Sequence, residues 1–123
     1  MATGLDNFKI YKLAVRLEIF IYKVTEKFPS EEKFRSVDQL KRSSSSISNN
    51  IAESYGKYSF KAKTNSLYIA RGEAEETKSG IERAFKKGFI SEKMQNFICE
   101  KYIELLKGIN SYIKFLKSNY KTD

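Results

Sequence analysis

Residues 41–57 read KRSSSSISNNIAESYGK, a run rich in serine and asparagine that composition alone would assign to a linker or a phosphate-binding loop. Its spacing argues for a helix. At about 100° per residue, Leu40, Ser44, Ile47, Ile51, Tyr55 and Tyr58 fall on one side, while Gln39, Arg42, Ser46, Asn50, Glu53 and Lys57 gather on another. A linker has no reason to keep that order. A phosphate loop needs glycines that bring backbone amides to the phosphate, and none lies between Gly4 and Gly56. Each serine costs about 0.5 kcal/mol of helix propensity relative to alanine, so packing must compensate. Small hydroxyl side chains allow that by letting a neighbouring helix come close.

Working outward, the spacing predicts helices over about 7–27, 35–58, 60–87 and 92–119. Asp6 is placed to cap the first, with Leu5 as a hydrophobic staple, and Phe28-Pro29-Ser30 ends it. That helix has more apolar residues than one core-facing stripe needs, so it is expected to be buried on two sides. Phe60, Thr64, Leu67, Ala70, Ala74, Ile81 and Phe85 share one side of the third helix, which opens at Ser59 and closes at Gly88. Ser91 caps the last, where Met94, Ile98, Tyr102, Leu105, Ile109, Tyr112 and Leu116 step by fours and threes. Short links make sequential helices antiparallel. The expected fold is all-α, an antiparallel up-down-up-down four-helix bundle forming a single domain over 1–123.

The composition excludes several classes of chemistry. The chain has no histidine, which removes Ser-His-Asp and Cys-His nucleophiles and the commonest metal ligand. Glu73 and Glu76 lack the following histidine of a di-iron bundle, and Glu75 beside Glu76, like Glu31 beside Glu32, points to different helix faces. No catalytic residue, metal or cofactor is expected, and the chain is read as not an enzyme. Cys99, the lone cysteine, reads as a small core hydrophobe. Charges at Lys9, Lys12, Arg16 and Glu18 leave the amino terminus with neither a signal peptide nor a membrane span, and a cytoplasmic location is the expectation.

Net charge is +8, from 23 Lys plus Arg against 15 Asp plus Glu, which biases the chain towards polyanions, whether nucleic acid or an acidic protein. Lys9, Lys12, Arg16, Lys23 and Lys27 recur at intervals that stack them along one line of the first helix, the main candidate for phosphate contact. Lys41, Lys57, Lys61, Lys63 and Arg71 are secondary candidates. Tyr11, Tyr55 and Tyr102 have the phase of core residues. Gln39, Arg42, Asn50 and Glu53 have two readings, a polar network between helices or subunits or a direct ligand contact.

FPSEEKF, QLKRSSSSISNNIAESYGKYS, YIARGEAEET and KKGFIS, in that order, resemble the four-helix-bundle family of proteins encoded in intervening sequences of bacterial 23S ribosomal RNA genes. The resemblance spans about residues 8–115 and is carried most specifically by Gln39, Leu40, Arg42, Ser46, Ile47, Asn50 to Glu53, Tyr55 and Gly56, then Ala70, Gly72 and Glu76. It implies an antiparallel bundle assembled as a homopentamer, and it carries Arg42, Asn50, Glu53 and Glu76 over as the motif's polar residues, with assembly as their role. It also implies kinship with the accessory variability determinant proteins of diversity-generating retroelements, which associate with a reverse transcriptase and nucleic acid. Two functions follow as expectations: a homo-oligomeric nucleic-acid-binding protein, or a scaffold docking a nucleic-acid-processing partner such as a reverse transcriptase. The chain departs from the family in having Ser48 where proline is usual, Ser54 where glycine is usual, Arg35-Ser36 for Gly-Leu, and Glu73 for a small serine beside Gly72. The first pair is expected to straighten the second helix.

Overall fold

The computed structural model describes residues 4–119. Among them the chain forms α1 (Lys9–Thr25), a short 3-10 turn (Ser30–Glu32), α2 (Ser36–Gly56), α3 (Phe60–Lys86) and α4 (Glu92–Asn119), with no strand. Each helix packs on the next and α4 returns to α1, which is the four-helix bundle.

The helix ends show what sets each boundary. α1 begins at Lys9, with Phe8 as its cap and no side-chain cap bond. The cap position therefore falls two residues after Asp6, and residues 4–8 are held in turns by Asn7 N–H to Gly4 O (3.2 Å) and Phe8 N–H to Leu5 O (3.0 Å). α1 ends at Thr25, whose hydroxyl donates back to Ile21 O at 2.8 Å, and the chain then tightens into shorter-range bonds before Pro29. The expected cap Ser91 accepts from Met94 N–H at 3.1 Å, and Ser59, where the third helix is expected to open, accepts from Ala62 N–H at 3.0 Å. Past α3, Gly88 adopts a φ of 83°, and Phe89 N–H reaches Ala84 O at 2.9 Å, closing the orphan carbonyls in a left-handed cap.

α2 runs unbroken through its serines because they serve the packing. Ser43, Ser44, Ser48 and Ser54 are all buried. Ser54 satisfies itself on Ile51 O at 2.7 Å. Ser43 Oγ lies 2.6 Å from Thr77 Oγ1 across the α2–α3 contact. Either hydroxyl can donate in that bond, since each also has a backbone carbonyl in reach, Leu40 O at 3.4 Å from Ser43 and Glu73 O at 2.8 Å from Thr77. The same contact is tight at Gly80, where a Cβ would stand 2.8 Å from Leu40 Cδ2. At the α1–α4 crossing a Cβ on Gly108 would stand 2.6 Å from Ile10 Cγ2.

One expectation about burial is corrected. Within the single chain α1 buries one face, Ala14, Leu17, Ile21 and Thr25, and Ile19 and Tyr22 are exposed. Tyr55 and Tyr58, in phase with the α2 core positions, are exposed as well. Tyr55 lies one residue before the helix ends, its ring only partly covered by Phe8 at a centroid distance of 5.8 Å, and Tyr58 stands two residues past the end. Tyr102 is in the core, fully buried.

Candidate nucleic-acid interface

Among the described residues, the ion pairs are Arg42–Asp38, Lys78–Glu82 and Lys101–Glu104. None involves Lys9, Lys12, Arg16, Lys23 or Lys27, and all five of these are exposed. The fold brings four of them together. Lys9, Lys12 and Arg16 line the seam between α1 and α4 with Lys101, Glu104 and Gly108. Arg16 and Lys23 continue it as a half-open groove of about 280 Å³, floored by Leu13, Leu17, Ile19, Phe20 and Phe97 and flanked by Lys101. Lys27 follows the end of α1 and is not among the residues that line the seam. Phe20 and Phe97 have ring centroids 5.5 Å apart, and Lys101 Nζ lies 5.9 Å from the Phe97 centroid.

The secondary candidates scatter. Lys41 Nζ sits 4.7 Å above the Tyr22 ring, between α1 and α2. Lys57 and Lys61 are exposed at the α2–α3 link. Arg71 donates to Asn110 Oδ1 at 3.0 Å and lies over Tyr68, on the α3–α4 side. Lys63 is a correction: it is buried, and its ammonium donates to Ser54 O at 3.0 Å and Tyr55 O at 3.4 Å. A cation there neutralises the last carbonyls of α2, so it cannot meet a phosphate.

Of the residues expected to form a polar network, Arg42, Asn50 and Glu53 line one groove, and Gln39 and Glu76 line another. Asn50 donates to Ser46 O at 2.8 Å and to Ser46 Oγ at 3.1 Å. Ser46 and Arg42 act on Glu73, which burial and a hydrogen bond shared with Glu76 push above the ordinary carboxylate range. Arg42 and Glu76 thus act on Glu73, and Asn50 is linked to it only through Ser46. Gln39 lines a cleft with Ser43, Glu76, Gly80 and Arg83. Glu53 lines the other groove with Tyr22, Lys41, Arg42, Ser46 and Asn50. Arg42 is bonded only loosely, 3.6 Å from Asp38 with its side chain 78% exposed, and such a pair contributes little to stability.

Cys99 is half-buried, its thiol pushed up by burial and pointing at Lys78 O, a setting that disfavours the nucleophilic thiolate. Among the described residues no group of three or more His, Cys, Asp or Glu side chains stands close enough to hold a metal, and no helix is long and apolar enough to cross a membrane.

Sequence reasoning did not identify Lys101 and Phe97. Both are exposed or half-exposed positions on α4, with no signal inside α4 that they border α1.

Residues 6–111 match the model of the 23S rRNA-intervening sequence proteins, and the chain belongs to that family. A solved structure of a protein with unknown function from the S23 ribosomal protein family of Bacteroides thetaiotaomicron VPI-5482 superposes with a TM-score of 0.79 at 27% identity, covering 85% of this chain and 95% of that one. No curated protein matches.

Proposed function

We propose that this member of the 23S rRNA-intervening sequence protein family is a non-catalytic, homo-oligomeric helical bundle that associates with nucleic acid through phosphate contacts along α1. The observation that carries the reading is the line of exposed cations Lys9, Lys12, Arg16 and Lys23, without ion-pair partners among the described residues, beside Lys101 of α4. Cations held on a helix face a fixed distance apart find phosphates and position the protein without reading bases. The lack of histidine and the protonated character of Cys99 support a non-catalytic role.

Assembly, as the pentamer implied by the family resemblance, is supported by the outer face of α3. Gly72 lies in the middle of a 27-residue helix, and a Cβ there would meet nothing within 4 Å. A mid-helix glycine costs about 1 kcal/mol relative to alanine, which is a cost without return unless another chain approaches it. Exposed Tyr68 and Ile69 stand beside it. The scaffold reading, in which a protein such as a reverse transcriptase docks on the bundle, draws its support from the apolar floor of the α1–α4 groove.

Replacing Lys9, Lys12, Arg16, Lys23 and Lys27 with Glu tests the reading. RNA binding measured by fluorescence anisotropy should fall at least about 100-fold, while reversal of Lys57 and Lys61, which do not line the α1–α4 seam, should leave most of it. A folded α1 variant that keeps its RNA affinity refutes the reading.

A further inference from the structure

The groove between α1 and α4 has an apolar floor that phosphate binding does not use. Ile19 is 50% exposed and Phe97 46% exposed, and both line the groove with Phe20 between the cations Arg16, Lys23 and Lys101. In a duplex the base faces are stacked inside, so such a floor would gain nothing from it. An unpaired base offers a π-face, and stacking on an aromatic side chain contributes about 5- to 150-fold per base.

We infer that this groove binds single-stranded nucleic acid, with unpaired bases laid on Phe97, Phe20 and Ile19 and the flanking phosphates held by Arg16, Lys23 and Lys101. The inference rests on the reading of α1 as a phosphate-binding face and names the form of nucleic acid it takes. Charge complementarity supports it: along the whole seam Glu104 is the one carboxylate among the lining residues, and it is already paired with Lys101 at 3.6 Å. The lining of the seam argues against the other anionic occupant, an acidic amphipathic helix. The apolar floor on α1 runs from Leu13 to Phe20, about 10 Å at 1.5 Å per residue, and its aromatic rings Phe20 and Phe97 offer flat faces for one or two bases. A docked helix finds only its shortest set of anchors over that length, because towards Lys9 the seam becomes lined mostly by charged residues.

The test is anisotropy on a labelled 12-nucleotide RNA, single-stranded and annealed to its complement, at one moderate salt concentration. The single strand is expected to bind at least about 10-fold tighter than the duplex. Phe97→Ala should lower single-strand affinity about 5- to 150-fold and leave duplex affinity unchanged, whereas Phe97→Tyr should keep both. Circular dichroism and thermal melting establish that each variant is folded. Equal affinity for the two forms, or a Phe97→Ala loss shared equally by the duplex, overturns the inference and leaves the α1 phosphate reading standing. Tight binding of an acidic amphipathic peptide with no preference for the single strand also overturns it. No binding to either RNA overturns both.

Discussion

Ser48 donates to Glu18 Oε1 at 2.6 Å across the α1–α2 contact, and Ser45 donates to the other carboxylate oxygen at 3.0 Å. Two serines of the run that looks like a linker therefore clamp one acidic side chain of the preceding helix. The bond made by Ser48 ties α1 to an α2 that runs without interruption from Ser36 to Gly56. Hydrogen bonds to a charged group contribute about 1.5–3 kcal/mol, so Glu18→Ala should destabilise the chain by about 2 kcal/mol. Ser48→Ala should cost about half as much, because Ser45 still donates. Urea denaturation midpoints at unchanged slope check both values, and a Glu18→Ala variant as stable as the parent refutes the clamp.

Tyr102 carries the opposite kind of group. Its hydroxyl is buried with no hydrogen-bond partner, and burial together with the nearby charge of Glu18 pushes its pKa above the ordinary tyrosine value. An orphaned buried hydroxyl costs about 1–3 kcal/mol, so Tyr102→Phe should raise stability by about 1 kcal/mol. The folded state keeps the phenol proton where the unfolded state begins to release it, near pH 10. Tyr102 therefore makes stability fall as pH rises above about 10, and Tyr102→Phe removes that part of the loss. Melting temperatures of the two proteins between pH 7 and 11 measure it.

Glu73 and Glu76 lie three residues apart on α3, and Glu73 is held above the ordinary carboxylate range by burial first and by Glu76 second. A raised carboxyl binds its proton more tightly in the folded state, so its contribution falls as pH rises through the carboxylate range. Glu73→Gln should therefore stabilise the chain at pH 7 by about 0.2–0.5 kcal/mol, the size of a like-charge helix pair, and the gain should vanish near pH 3.5. A gain that is independent of pH contradicts the shared-proton account.

Much of the bundle was legible because helix periodicity and capping are local. Ser59 and Ser91 marked their helix starts by residue type and position, and the two-faced spacing of 39–58 identified α2 despite its serines. Tertiary adjacency was not legible. A helical wheel gives the phase of Tyr58 but not the helix end at Gly56 that leaves it exposed, and it gives the charge of Lys63 but not the carbonyls of Ser54 and Tyr55 that claim it. The candidate site divides the same way. The α1 cations were visible as a stripe, whereas Phe97 and Lys101 become part of the site only through the packing of α4 on α1.

Assembly makes a prediction with two opposite signs. Gly72→Ala should stabilise the helix of the single chain by up to about 1 kcal/mol, since nothing within the chain meets the new methyl group, yet it should weaken association if a second chain packs against that position. Light scattering of Gly72→Ala, together with Arg42→Ala and Glu53→Ala, measures the second effect. Native mass retained by all three variants contradicts an interface on the outer faces of α2 and α3.

The most direct measurement of the central claim is the salt dependence of RNA binding by the unmodified protein. Lys9, Lys12, Arg16 and Lys23 acting on four phosphates of a single strand give a slope of log affinity against log salt near −3, at about −0.7 per phosphate. Micromolar or tighter binding with a slope of that size is the predicted result. No binding at low salt, or binding that salt does not weaken, contradicts it.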